Sequence, residues 1–144
     1  MRTSLPVLIS VLLLAGCTTV RYSTTFHDVK VEDGETPLEI VEIENSGWVL
    51  FKFIPLASGN PEKPNRTSCR WFSNTVTLQN NLNLLDQEMQ SRVATRFTNL
   101  TSRNMEETFL FILLSRKAYH TLAVLLKDAN TPTPSTVGKE EATK

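Results

Sequence analysis

The clearest periodicity in this chain lies between Leu78 and Val93. Apolar residues fall there at Leu78, Leu82, Leu85, Met89 and Val93, while Gln79, Asn80, Asn83, Asp86, Gln87 and Gln90 fill the other positions. Steps of three and four place those apolar side chains on one stripe of an α-helix, so the pattern predicts an amphipathic helix covering a sheet. Thr75 or Thr77 is suited to cap its start, and Arg92 suits its last turn. Elsewhere the pattern is that of strands. Leu38 to Glu44 alternates with a blurred phase, Asn45-Ser46-Gly47 carries turn chemistry, and Trp48 to Ile54 reads as a second strand in hairpin relation to the first. Pro55 and the run from Ser58 to Asn65 predict a long loop. Ala94 to Leu100 alternates weakly toward a turn at Thr101-Ser102-Arg103-Asn104. Thr108 to Leu114 is a short run, apolar after its first residue, which fits a central strand buried on both faces, with a helix over Met105 to Ser115 as its rival. After a polar corner at Ser115-Arg116-Lys117, Tyr119 to Lys127 is a last strand. The expected fold class is α+β, with one amphipathic helix packed on a small antiparallel or mixed sheet of about five strands.

The two ends of the chain read differently. Met1-Arg2-Thr3-Ser4 followed by the apolar run Leu5 to Leu14 is a basic start and a hydrophobic stretch too short for a permanent membrane span, the pattern of an export signal. Residues 1–16 are therefore expected to be removed, and residues 17–36, rich in Thr, Ser, Asp and Glu, to form an N-terminal tether that adds an edge strand near Tyr22 to Val31. Residues 37–127 are expected to be the folded α+β domain. Residues 128–144 have no periodic apolar set and are expected to be a disordered tail.

Leu14-Ala15-Gly16-Cys17 resembles the lipobox of bacterial lipoproteins. The resemblance implies diacylation of the Cys17 thiol through a thioether, cleavage before Cys17 and acylation of the new amino group, with palmitate-like chains as the anchor. Two or three acyl chains anchor stably where one would be marginal. Thr18, where an inner-membrane lipoprotein of that family carries Asp, implies release to the outer membrane, with the domain facing the periplasm. The order of strands, helix and later strands over residues 38 to 127 also resembles small envelope lipoproteins of the TRL-like type, a likeness that lends no reaction.

Composition narrows the function classes. The chain has 144 residues, with 15 Lys and Arg against 15 Asp and Glu. That length suits one modest domain, and the balanced charge gives no field to gather nucleic acid. The two cysteines are Cys17 and Cys69. Once Cys17 is acylated, Cys69 has no partner within the chain, and it reads as a half-buried thiol, with an intermolecular bond or a catalytic thiol as the alternatives. His27 and His120 are too few and too far apart to predict a zinc site, and no metal ligand set or cofactor is expected.

Two candidate sites follow. Trp48, Phe51, Phe53, Trp71 and Phe72 flank the proline-rich loop, and a loop that folds back brings Trp71 and Phe72 toward Trp48. They form either a satellite cluster that fixes the loop or an exposed patch that receives a peptide, a glycan or an envelope protein. Burial of both tryptophans would remove the second reading. His120, with Tyr119 beside it and Cys69 elsewhere, is the candidate polar site, and a thiol- or histidine-dependent hydrolase requires those groups to meet in space. A pocket for a small ligand or peptide under the 55–72 loop is the further alternative. The leading expectation is a noncatalytic, membrane-anchored envelope lipoprotein with a structural or interaction role.

Overall fold

A computed structural model describes residues 17–26, 29, 31–66, 68–109 and 113–128. The export segment, most of the C-terminal tail and residues 110–112 of the apolar run lie outside the described residues. The elements are β1 (Thr18–Ser23), β2 (Glu35–Leu50), β3 (Ile54–Gly59), β4 (Cys69–Trp71), α1 (Leu78–Ser91), β5 (Arg96–Phe109) and β6 (Leu114–Asp128). The strands form one sheet in the order β4-β3-β2-β6-β5, and β1 pairs with β2 off that path. Every pairing is antiparallel. Among the described residues the fold is the expected α+β arrangement of one helix on a sheet, with six strands.

The middle of the sheet is a long ladder. β2 runs 16 residues and pairs with β6 from Glu35↔Asp128 to Leu50↔Leu114. The other edge of β2 is shared end to end, with Thr18–Ser23 of β1 on Ile40–Asn45 and β3 on Gly47–Leu50. The N-terminal strand thus begins immediately after Cys17, four residues earlier than the 22–31 pattern predicts.

Alternation assigns the two faces. Val20, Val41, Ile43, Ala123 and Leu125 point to one side and meet Leu84 and Leu85 of α1, with Leu38, Met89, Ala94 and Phe97 at the margin. The helix starts where Thr77 accepts the Asn80 N–H at 3.2 Å, a normal N-cap that satisfies one otherwise unpaired donor. Its buried residues are Asn81, Leu84 and Leu85. The stripe is thus rotated from the predicted one: Leu85 and Met89 face the sheet, but Leu78 is exposed and a polar residue, Asn81, takes a central place.

Three sequence expectations are overturned. Asn45-Ser46-Gly47 is not a turn, since β2 runs straight through it. Asn45 Nδ2 donates to Thr75 O, its Oδ1 accepts from Thr18 Oγ1 at 3.1 Å, and the Ser46 N–H donates to Cys17 O at 2.8 Å. A Cβ on Gly47 would lie 2.8 Å from Ala57 O and from Val76 Cγ2, so glycine serves close packing there. Second, Thr101 to Asn104 is part of β5, whose irregularity lies instead between Thr98 and Thr101, with Asn99 at φ 53°. Third, Thr108 to Leu114 is not a buried central strand and Ser115 to Lys117 is not a corner. Phe109 ends β5, Leu114 opens β6 as its partner, Phe109 and Leu113 are exposed, and Ser115 is buried within β6.

Helix and sheet differ in length. At about 1.5 Å per residue the 14-residue helix spans roughly 21 Å, whereas β2 at about 3.3 Å per residue spans roughly 53 Å. The sheet therefore projects beyond its helical layer, and residues 99 to 109 of β5 are exposed throughout.

The helix-covered end is held by charge. Arg92, at the helix C-terminus, pairs with Glu39 and with Glu88, and its guanidinium carbon lies 3.8 Å above the Tyr22 ring. Arg96 pairs with Glu35 and Glu32. The hydrogen bond from Arg96 holds the Glu35 carboxyl below its ordinary value. A depressed carboxylate stabilises the fold above the unfolded value of about 4.3 and loses that contribution as pH falls through the folded value. Glu35→Gln is therefore expected to unfold at lower urea than the parent at pH 7, with the difference closing near pH 3. A difference that stayed constant across that range would show that the carboxylate charge plays no part.

Candidate interaction surface

The end of the sheet farthest from those ion pairs has the opposite composition. β2 closes at Leu50, and the Phe53 N–H donates to Leu50 O at 3.2 Å across a turn made of Phe51, Lys52 and Phe53. Phe51 and Lys52 both have positive φ, 51° and 68°. A turn with both central residues left-handed matches the twist of a hairpin but favours Asn-Gly, so phenylalanine and lysine hold it against their own preference. Turn chemistry in the sequence therefore points to 45–47, while the turn itself is built from residues that read as strand.

This turn lies beside the end of the β5–β6 pair. The Phe51 N–H donates to Leu113 O at 2.8 Å, and Lys117 Nζ donates to Lys52 O at 3.3 Å. The rings of Phe51 and Phe53 stack at 6.4 Å, and Trp48 packs on Phe109 at 5.5 Å with a 49° tilt, reaching across β6. On the other flank, Trp71 and Trp48 are the register partners of Ala57 on either side of it. Ala57 is fully buried. The Phe72 N–H donates to Leu56 O at 3.1 Å, with Phe72 also left-handed at φ 53°.

The structure therefore brings Trp48, Phe51, Phe53, Trp71 and Phe72 to one end of the sheet and adds Phe109 and Leu113, which the sequence pattern had assigned to a buried strand. Trp48 is half-buried, Trp71 is 50% exposed, and Phe53 and Phe72 are 74% and 75% exposed. Neither tryptophan is buried in full, so the condition that would remove the patch reading is not met. The signal that could have found Phe109 and Leu113 is the mirrored arrangement of two apolar runs, each near the end of a strand that pairs with the same central ladder.

The candidate polar site is not assembled. Tyr119 and His120 are neighbours on β6 and point to opposite faces. His120 Nε2 lies 2.7 Å from Glu42 Oε1 on the face away from the helix, where Arg116 also pairs with Glu44 at 3.1 Å. Cys69 lies on β4, three strands from β6 and so roughly 14 Å away at about 4.8 Å per strand. A thiol and an imidazole that far apart cannot share a proton, which removes this pairing as a nucleophile and base.

The space beside the 55–72 loop is a cleft of about 200 Å³ between that loop and α1. Its lining includes Glu62, Arg70, Asn80, Asn83 and Gln87, with Arg70 paired to Glu62 at 2.7 Å. That lining is polar and differs from the apolar cavity expected for a sequestered ligand. Among the described residues no three His, Cys, Asp or Glu side chains gather as a metal site, and no helix is long and apolar enough to cross a membrane. No family model, curated protein or solved structure matches the chain.

Proposed function

We propose that this chain is a bacterial envelope lipoprotein, exported by residues 1–16, held at the outer membrane through acylated Cys17 with its domain in the periplasm, and acting by docking rather than by catalysis. The observation that carries the docking reading is the exposed apolar end of the sheet, since a protein stable in water seldom leaves contiguous large apolar side chains uncovered without a use for them. The exposed Cys17, which stands directly before β1, agrees with the anchoring half of the reading. An acyl chain attached there meets no packed core.

The test is the mass of the mature N-terminus. Protein from envelope extract is expected to begin at Cys17 and to carry the added mass of two or three acyl chains. Cys17→Ser is expected to retain residues 1–16 and to lack that mass. A parent chain with a free Cys17 thiol, or one still beginning at Met1, would overturn the anchoring.

A further inference from the structure

We infer that the apolar end of the sheet, formed by the Phe51-Lys52-Phe53 turn with Phe109, Leu113, Trp71 and Phe72, is itself a lipid-contact surface that enters the interfacial zone of an anionic bilayer. The inference rests on the proposed anchoring only in placing a membrane close by; the chemistry of the surface is its own.

Four features select lipid over a protein partner. From Trp48 to Leu56 the only charged residue is Lys52, and from Thr108 to Leu114 there is none. A single cation between two phenylalanines is the arrangement in which the rings enter the apolar zone while the ammonium stays at the phosphate level. The apolar residues also occupy the turn that terminates the sheet as well as one of its faces, so the surface is a projecting end rather than a flat patch. A fluid medium surrounds such an end, where a protein surface would cover one side of it. The ion pairs of Arg92 and Arg96 with Glu32, Glu35, Glu39 and Glu88 lie at the far end of the molecule, while those nearer the turn, Arg116 with Glu44 and Arg70 with Glu62, place a guanidinium on the register partner of Trp48 and on the chain neighbour of Trp71. Finally, Cys17 O accepts from Ser46 N–H, four residues before Leu50, so the anchoring residue stands roughly 13 Å from the turn along the strand direction at about 3.3 Å per residue. The headgroup region on each side of a bilayer is about 5–8 Å deep. With the strands tilted toward the membrane plane, that separation shortens along the normal to the depth of the headgroup region, and a lipid on Cys17 and the rings at the turn reach the same leaflet.

The left-handed Phe51 and Lys52 sharpen the point. Asn-Gly would form this turn with less strain, yet the chain keeps an apolar ring and a cation there. The pairing of β2 with β3 and β6 sets where the chain reverses, and lipid contact accounts for the choice of an aromatic ring and a cation at that place.

The protein carries its own probes, because both of its tryptophans, Trp48 and Trp71, lie at this end. Full chain purified from envelope in detergent is reconstituted into vesicles of phosphatidylethanolamine and phosphatidylglycerol whose acyl chains are brominated near the glycerol. Vesicle flotation reports anchoring, and bromine quenching of tryptophan reports contact of the sheet end with lipid. The parent is expected to float and to lose at least a third of its emission, and less when phosphatidylcholine replaces phosphatidylglycerol. The variant Phe51→Asn/Lys52→Gly/Phe53→Thr is expected to float equally, to fold with a thermal midpoint no lower than the parent, and to lose most of the quenching. A parent that floats without quenching, or a variant quenched as strongly as the parent, would overturn the lipid contact and turn this end toward a protein partner while leaving anchoring intact. Quenching in a chain whose Cys17 proves unmodified would overturn the anchoring and leave the lipid contact standing.

Discussion

Replacing Gly59 by alanine is expected to unseat β1. A Cβ at that position would lie 2.5 Å from the carbonyl carbon of Cys17 and 2.6 Å from the Thr18 nitrogen, with Thr18 Oγ1 closer still. These are mostly backbone atoms, which cannot swing aside as the end of a flexible side chain can. Either β3 or β1 must move, and β1, whose six residues have one strand partner and the bonds of Asn65 to Thr18 and Val20, is the weaker. Its displacement takes Val20 from the core and breaks the Thr18 to Asn45 hydrogen bond. Overpacking of this kind costs about 1–3 kcal/mol before the lost burial is counted, and one buried valine adds about 1.5 kcal/mol or more. A loss of about 3 kcal/mol or more in urea unfolding is expected, together with faster amide exchange in Thr18–Ser23. Gly34→Ala is the control. Gly34 has φ +90° with open space around its Cβ position, so its substitution strains the backbone alone and should cost only about 1–2 kcal/mol. Equal effects of the two substitutions would refute the close approach of β1 and β3.

The second large effect concerns Asn81. Its side chain is fully buried under α1, where Nδ2 donates to Tyr119 O and Thr121 Oγ1 at 3.0 Å and lies 3.4 Å from Ile43 O. One amide thus ties the helix to both central strands. Its Oδ1 has no partner, a desolvation cost that the donor bonds must offset. Asn81→Ala removes those bonds and leaves a cavity, for an expected loss of about 2–4 kcal/mol. Asn81→Leu paired with Thr121→Val tests the polar part by itself, since it replaces both partners with apolar groups in an apolar layer. The double variant is expected to be more stable than Asn81→Leu alone, with a coupling of about 1 kcal/mol in a double-mutant cycle. Strict additivity would mean that the two groups do not depend on each other.

Asn81 and Gly59 also illustrate what the sequence concealed. The helix was legible because its period and its Thr77 cap are local. Its exact facing was not, because an asparagine at the centre of a buried stripe contributes nothing to an apolar count. β6 was legible from Tyr119 onward because alternation and an aliphatic run agree there. The misreading of β2 has one cause: Asn, Ser and Gly are the residues of turns, and they are equally the residues that satisfy buried backbone groups and permit close approach. Asn45, Ser46 and Gly47 do the second job. Conversely, Phe51-Lys52-Phe53 turns although its two phenylalanines favour a strand and none of the three is a turn residue, because the pairing of β2 with both β3 and β6 fixes where the chain must reverse. The aromatic content of the candidate surface, from Trp48 to Phe72, is legible in the sequence. Phe109 and Leu113 were missed because a short apolar run predicts burial by default, and only the length of the sheet relative to its helix reveals that these residues extend past any cover.

The ladder between β2 and β6 carries a consequence for the order of events in folding. It joins Glu35 to Asp128, so among the described strand pairings the central seam closes the longest loop. Such closures are slow, and local hairpins precede them. A chain that emerges from its N-terminus can pair β2 with β1 and β3 early, yet the inner edge of β2 stays bare until the last strand has arrived. The core layer of Ala123 and Leu125 is delivered by that same strand. Completion of the core therefore waits on β6, and until it docks the early strands have only part of their apolar layer covered.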